Sequence, residues 1–258
     1  MDFAYSFAGF AVGGIVGLTG VGGGSLMTPL LVLFFGIHPA TAVGTDLLYA
    51  AITKSGGTFV HARKGNVYWR VTGLLAAGSL PAAALTLIVV AQHSASGAPS
   101  SHLISIALGI ALLLTALALI FRRRLQILAK SGATEWLTER SRNWLTVAVG
   151  AALGALVSVS SVGAGALGIT ALFFLYPKLS TRRIVGSDLA HAVPLTLAAG
   201  MGHWWLGSVD WALLASLLIG SLPGIFIGSH LSSRVPERVL RPTLAAMLIL
   251  VGGRLITQ

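Results

Sequence analysis

Residues 102–121 read HLISIALGIALLLTALALIF, and residues 71–91 read VTGLLAAGSLPAAALTLIVVA. Neither stretch contains Asp, Glu, Lys or Arg, and each has the roughly 20 residues that a helix needs to cross the hydrocarbon core of a bilayer. Backbone groups that face lipid must be satisfied within the segment, which favours helices, and the alternating pattern of an outer-membrane barrel is absent. The two stretches therefore predict membrane-spanning helices.

The composition of the whole chain agrees with this prediction. Of its 258 residues, 55% are hydrophobic and 9% are charged, too few charges to cover a water-soluble fold. The formal net charge of +10 lies in short connections between apolar segments, so it indicates orientation in a membrane and not a nucleic-acid partner. The chain has no cysteine, which excludes disulfides and thiolate metal sites, and we expect neither a metal nor another cofactor. The opening residues, MDFAYS, carry no Lys or Arg, so we expect no cleaved signal peptide.

Apolar segments recur along the chain, five before residue 122 and five after residue 142. They lie at residues 3–18, 25–36, 41–60, 71–91, 102–121, 143–157, 166–176, 184–202, 210–230 and 239–256. The second and seventh are shorter than the roughly 17 residues of a minimal span, so each is either a short helix or half of a re-entrant hairpin. We predict an all-α integral membrane protein with about eight to ten membrane segments. Residues 1–121 form a first transmembrane repeat, 122–142 a cytoplasmic linker and 143–258 a second repeat.

The division into two repeats depends on an internal duplication. VGTDL at residues 43–47 matches VGSDL at residues 185–189, a shift of 142 residues. At the same shift, GSLP at residues 78–81 matches GSLP at residues 220–223. One shift that holds through separate clusters indicates repetition of a structural unit. The repeated glycine is a candidate hinge beside a proline that kinks its helix.

The charges of equivalent loops oppose each other. Residues 61–70 contain three basic residues, whereas their counterpart at residues 203–212 contains none. The loop around His38 likewise has no Lys or Arg, whereas its counterpart at residues 177–183 has three. By the positive-inside rule, equivalent loops lie on opposite sides of the membrane, which predicts two repeats of inverted topology and both termini outside. The segments predicted to lie inside are 61–70, 122–142, 177–183 and 231–241.

Two small-residue breaks mark a candidate substrate site. TGVGGGS at residues 19–25 and SVSSVGAG at residues 158–165 each precede one of the short segments. A helix that begins after such a break directs free N–H groups and its positive dipole end at an anion, and Thr28-Pro29 predicts a helix start close to the first break. The alternative is that these residues only let helices pack closely. Recurrence in both halves favours a substrate site. The substrate-binding residues predicted from the breaks are Thr19, Gly22, Gly23, Gly24, Ser25, Ser160, Ser161, Gly163 and Gly165.

Four ionisable residues inside apolar segments are predicted to act in coupling or gating. Asp46 and Asp188 lie about five residues into their segments, where charge is costly and usually functional, although a carboxylate in the first turns of a helix is the alternative. His191 follows Asp188 by one turn, which suits proton sharing, whereas Tyr49 occupies the matching position. Lys54 could face the cavity and attract an anion, but its place near the cytoplasmic end of its segment favours snorkelling to the interface.

Other features carry less information about function. His61 and His203 recur beside tryptophans near interfacial loops, which favours structural anchoring. No Walker loop, HExxH, GxSxG or paired CxxC motif is present, so we predict no enzymatic activity.

With GVGGGSLMTPLL at residues 20–31, AVGTDLL at residues 42–48 and VGSDLAHAVPL at residues 185–195, the chain resembles the TauE/SafE sulfite exporter family of bacterial membrane permeases. The resemblance covers essentially the whole chain. It implies transport of sulfite, sulfonates or related sulfur oxyanions, often outward. It also adds Thr45 and Ser187 to the substrate-binding residues.

Taken alone, the residues predict a carrier of a small anion that spans the bilayer several times, in the bacterial inner membrane. A proton- or cation-coupled carrier of another substrate that uses Asp46 and Asp188 is an alternative, and an integral membrane enzyme or accessory subunit is a second. The sequence leaves the oligomeric state open, with a homodimer as one option.

Overall fold

The computed structural model describes residues 3–19, 24–95, 100–130, 137–231 and 237–256. Within these ranges the regular structure is entirely α-helical, as predicted. The helices are α1 (Phe3–Thr19), α2 (Gly24–Phe35), α3 (Pro39–Arg63), α4 (Trp69–Ala95), α5 (Ser100–Lys130), α6 (Glu139–Ser160), α7 (Ala166–Leu175), α8 (Thr181–Trp205), α9 (Trp211–Leu231) and α10 (Glu237–Ile256).

Five of these helices, α4, α5, α6, α8 and α9, are long and apolar enough to cross a membrane. Shorter apolar helices accompany them, and many large hydrophobic side chains face outward, so the chain is an integral membrane protein. Helix α5 continues to Lys130 and α6 begins at Glu139, so both ends of the predicted linker at residues 122–142 are helical.

Helices α2 and α7 each form a hairpin with the helix that precedes them. Helix α7 has 10 residues, which at the helical rise is about 15 Å, half of the hydrocarbon thickness. Directly after it, the hydroxyl of Tyr176 lies 2.9 Å from that of Thr146, near the start of α6. In the first half of the chain, the rings of Tyr5 in α1 and Phe35 in α2 lie 5.0 Å apart. The ends of α6 and α7 therefore meet at one side, as do those of α1 and α2.

Helix packing has the same pattern in both halves. Helix α1 packs against α9 and α6 packs against α4, and these contacts exchange when the two halves are exchanged. Helix α3 packs against α8, and α5 packs against α10. A β-carbon at Gly78 would overlap the backbone of α6, and one at Gly220 would overlap the backbone of α1. The repeated GSLP glycines are therefore close-packing positions, as small residues commonly are in membranes.

Two equivalent hydrogen bonds show how the central helices are oriented. The N–H of Tyr68, just after α3, donates to the Ser187 hydroxyl near the start of α8 at 2.8 Å. The N–H of Asp210, just after α8, donates to the Thr45 hydroxyl near the start of α3 at 3.1 Å. Helices α3 and α8 therefore run antiparallel, and the loops after them lie at opposite ends of the bundle.

These two helices form the centre of the protein. Residues 42–51 of α3 are buried on every face, and α8 is buried over most of its length. A helix that is buried all round contributes every polar side chain it carries to the interior. The ionisable residues of α3 and α8 therefore decide the chemistry of the core.

Candidate functional site

Asp46 lies in the interior of α3 and connects the two halves of the chain. Helix α3 begins at Pro39, so Asp46 is about 10 Å along it at the helical rise. The side chain is 0% exposed, which rules out a carboxylate in the first turn at the interface. Its Oδ2 accepts hydrogen bonds from the hydroxyls of Thr28 at 2.5 Å and Ser161 at 2.9 Å. Its Oδ1 has no partner among the described residues.

Ser161 reaches Asp46 because the backbone leaves helical geometry after α6. Ser161 has a φ of 58°, and Gly163 and Gly165 have φ of 122° and 124°. This is the conformational region that glycine adopts without steric cost, so the glycines permit the chain to turn back into α7. The interruption predicted at residues 158–165 is present over residues 161–165, which are buried, whereas residues 158–160 still belong to α6.

Asp188, a residue of α8, lies beside the N-terminal end of α7. Its carboxylate interacts with the backbone N–H of Gly165 and packs against Gly168, where a β-carbon would overlap its Oδ1. That oxygen has no hydrogen-bond partner in the described part of the chain. The expectation that the N–H groups at this helix start are free is wrong for Gly165, since a carboxylate of the protein occupies the place expected for an external anion.

Lys54 and His191 complete the cluster. Lys54 is only 5% exposed and interacts electrostatically with both Asp46 and Asp188, so the prediction that it snorkels to the interface is wrong. The Nε2 of His191 lies 2.8 Å from the hydroxyl of Ser79, whereas its Nδ1 has no partner among the residues described. The cluster thus combines two carboxylates, one ammonium and one imidazole.

Little space is left at the centre of this cluster. Lys54, Gly165 and Asp188 border a cavity of about 10 Å³. That volume is close to the minimum for a single water molecule and too small for an oxyanion. Among the described residues, an oxyanion would therefore need side-chain or helix movement to enter this cavity.

A protein-family model described as "Sulfite exporter TauE/SafE" matches residues 5–255. The chain belongs to the sulfite exporter TauE/SafE family. It is 38% identical over 256 residues to "Probable membrane transporter protein YjnA" of Bacillus subtilis (strain 168), covering 99% of this chain and 100% of that one. It is 31% identical over 251 residues to "Probable membrane transporter protein YdhB" of the same organism, covering 93% and 97%.

A third relative, from Xylella fastidiosa (strain 9a5c), is also named "Probable membrane transporter protein" and is 26% identical over 233 residues, 88% of this chain and 83% of that one. No solved structure matches the chain significantly. The TauE/SafE assignment shows that the chain is a membrane transporter, as the resemblance implied, and gives the buried cluster a functional context.

Three of the predicted substrate-binding residues have hydroxyl groups with structural partners in this TauE/SafE transporter. Thr45 and Ser187 accept hydrogen bonds from the loops that follow α8 and α3, as described above. The Ser160 hydroxyl donates to the Leu156 carbonyl at 2.7 Å and holds the end of α6. A direct contact between these three hydroxyls and a substrate stays a prediction.

Part of the predicted site cannot be placed. Gly22 and Gly23 lie outside the described residues, as do the side-chain surroundings of Thr19, Gly24 and Ser25. A helix does start close to the first break, as predicted, but α2 begins at Gly24 and includes Thr28 and Pro29, so these two residues do not form its cap. A proline this early removes only one helical hydrogen bond, and Thr28 bonds Asp46 instead of capping the helix.

Two hydroxyl partners of the cluster were not predicted from the sequence: Thr28 bonds Asp46, and Ser79 bonds His191. Outside the cluster, the Ser158 carbonyl lies 2.8 Å from the Nε2 of His203. The one available signal was Ser79, a polar residue that recurs as Ser221 in the repeated GSLP motif. His203 is 1% exposed and therefore supports the core instead of anchoring the interface.

Proposed function

We propose that this transporter carries a small anion, specifically sulfite, a sulfonate or a related sulfur oxyanion. The observation that supports an anion is Lys54, a cation buried beside the break between α6 and α7. Burying an ammonium is costly unless charged groups compensate it, and here Asp46 and Asp188 interact with it; protonation of these carboxylates would leave the cation available to an anionic ligand. The sulfur chemistry is supported by the family description alone.

We further propose that the two repeats have inverted topology in a bacterial inner membrane. The antiparallel arrangement of α3 and α8 and the exchangeable helix contacts support it. The end of the bundle that contains Tyr68 and the start of α8 also holds the basic residues of loops 61–70 and 177–183. By the positive-inside rule this basic end faces the cytoplasm.

The charges of Lys54, Asp46 and Asp188 support proton coupling as part of this proposal. Lys54 faces two carboxylates, so with all three groups ionised the cluster has one excess negative charge and repels an anion. Protonation of Asp46 or Asp188 removes that excess, and protonation of both leaves Lys54 unopposed. An anion therefore binds most favourably together with a proton, and His191, one turn from Asp188, is placed to exchange it.

Transport by purified protein tests the proposal. Radiolabelled sulfite uptake into proteoliposomes should exceed uptake into protein-free liposomes, and unlabelled sulfite should compete with it. Competition by sulfate, thiosulfate and taurine ranks the substrate class. A pH-sensitive dye trapped in the lumen should report proton movement that starts when sulfite is added. Absence of flux for all four compounds would contradict anion transport, and sulfite flux without any dye response would contradict proton coupling alone.

A further inference from the structure

A second and much larger cavity opens at the basic end of the bundle. It has a volume of about 370 Å³, within the range of small-ligand sites. The first turns of α4 and α6 and the connection from α7 to α8 enclose it. We call it the basic pocket, and its polar lining consists chiefly of Arg70, Glu139, Arg142, Asn143, Tyr176 and Lys178.

The charge in the basic pocket is positive. It contains three cationic side chains and one carboxylate, and that carboxylate, on Glu139, forms an ion pair with Arg70. Arg142 therefore carries a positive charge that Glu139 does not balance. A pocket with this balance selects an anion.

Arg142 is held in position and retains a hydrogen-bond donor that no described residue accepts. Its guanidinium lies 5.9 Å from the centre of the Tyr176 ring, and its Nη2 makes a long 3.5 Å contact with the Leu137 carbonyl. Its Nε is buried and has no hydrogen-bond partner among the described residues. The planar guanidinium fork matches oxyanions in geometry and charge, so an oxyanion would satisfy the remaining donors.

The basic pocket has no cationic equivalent in the other half of the chain. At the shift of 142 residues, Ala212 occupies the position of Arg70 and Asp210 that of Tyr68. The loop at residues 36–38, which corresponds to the connection after α7, contains no Lys or Arg. Membrane orientation alone explains basic residues at this end, but it needs only exposed charges such as those of Arg182 and Arg183 in the first turn of α8. It does not require a partly buried arginine that lines a cavity.

A single apolar layer separates the basic pocket from the buried cluster. This layer includes Ile169, Leu172 and Ile184, and Tyr68 and Tyr176 pack against it from the side of the pocket. On its other side, Ile169 borders the small cavity at Lys54. Separation of these apolar side chains would join the two cavities.

We propose that the basic pocket is a cytoplasmic binding site for a small oxyanion, which the transporter takes up there before the anion passes the apolar layer to Lys54. This rests on the proposed function and deepens it, since it assigns an entry site on one side of the membrane. It predicts a low half-saturating concentration for anions presented from the cytoplasmic side and a higher one from the opposite side.

Anion binding to the purified protein in detergent tests the site without requiring transport. Titration with sulfite and with sulfate, followed by calorimetry, should show binding that Arg142→Gln and Lys178→Gln each weaken about tenfold, the loss expected for one charge-assisted hydrogen bond. Arg182→Gln is the matched control, because it removes the same charge from the same end of the bundle but outside the pocket. We expect it to change the affinity by less than about twofold.

Transport from inside-out vesicles gives the second readout. Lys178→Gln should raise the half-saturating anion concentration on the cytoplasmic side about tenfold and leave the maximal rate unchanged. It also keeps the test decisive if Arg142→Gln fails to fold, since Lys178 is exposed at the rim.

Three results would overturn the basic pocket as an oxyanion site. They are absence of binding by the unmodified protein, equal weakening by Arg182→Gln and unchanged affinity in folded Lys178→Gln. Binding that is lost in the pocket variants, together with no flux by any variant, would leave the pocket intact and reject the proposed function. Normal sulfite flux with an unchanged half-saturating concentration in the variants would reject the pocket alone.

Discussion

Removal of the Lys54 charge should destabilise the folded protein and abolish transport, and these two effects should be separable. In Lys54→Met the buried carboxylates of Asp46 and Asp188, which are 0% and 2% exposed, lose the cation that faces both. Lys54 makes no direct ion pair with either carboxylate in the described part of the chain, so its removal should cost less than the roughly 3–5 kcal/mol of a broken buried ion pair. Because Asp46 keeps two hydroxyl donors and Asp188 keeps the Gly165 N–H, we expect a loss of about 2 kcal/mol.

The expected change is large enough to measure by thermal unfolding in detergent. For proteins of this size the unfolding temperature changes by about 2–4 °C per kcal/mol, so a loss of about 2 kcal/mol corresponds to about 4–8 °C. Lys64→Met is the matched control, since Lys64 is exposed in the loop after α3 and its removal should shift the temperature by less than about 2 °C.

The double variant Lys54→Met with Asp188→Asn separates stability from transport. It leaves one buried carboxylate with its hydroxyl donors, so we expect it to regain about 1–3 kcal/mol relative to the sum of the single variants. Transport should remain absent, because the anion still lacks its buried cation. Wild-type unfolding temperature in Lys54→Met, or strict additivity in the double variant, would refute the charge cluster.

Three further predictions concern topology, the break and pH. Cysteines introduced at Asn66 and Ser208 should react with an impermeant reagent from opposite sides of the membrane, because their loops lie at opposite ends of the bundle. Gly163→Leu should abolish transport while membrane insertion persists, because Gly163 has a φ of 122°. Asp188→Asn combined with His191→Gln should flatten the dependence of the transport rate on pH between about pH 5.5 and pH 8, because it removes both titratable groups of this turn of α8.

Each of these three experiments has a control or a clear negative result. The native chain has no cysteine, so the labelling background is silent, and labelling of both loops from one side would reject inverted topology. Gly73→Leu is the control for enlargement, since a β-carbon there meets nothing within 4 Å. Normal transport by Gly163→Leu would show that the small residues of the break serve only close helix packing. A pH profile of the double variant that overlays the wild type would assign the Asp188 and His191 pair a structural role.

Much of the fold followed from the sequence because lipid imposes strict rules on the backbone. Apolar length predicted the long helices, and the two shortened segments indicated either short helices or hairpins. The structure has hairpins at these positions. The contact between Tyr176 and Thr146 shows this for the second half, and no local sequence pattern encodes that contact. Asp46 and Asp188 were recognisable as candidates because charge is costly in apolar segments.

The surroundings of the site were less predictable. Asp46 binds partners 18 and 115 residues away in the sequence, Thr28 and Ser161, and only the tertiary fold brings them together. Lys54 was assigned to the interface from its position near a segment end. Helix α3 is buried on every face near its middle, so hydrophobic periodicity gives no information about which side chains turn inward.

Sulfite efflux from proteoliposomes under an imposed membrane potential tests the central claim, transport of an anion past Lys54, most directly. An inside-negative potential of about 100 mV favours exit of a monovalent anion by about 2.3 kcal/mol. We predict efflux above that of protein-free liposomes, acceleration by the inside-negative potential, and loss of both in the Lys54→Met with Asp188→Asn variant. Efflux equal to that of protein-free liposomes, or equal efflux from the wild type and the double variant, would contradict it.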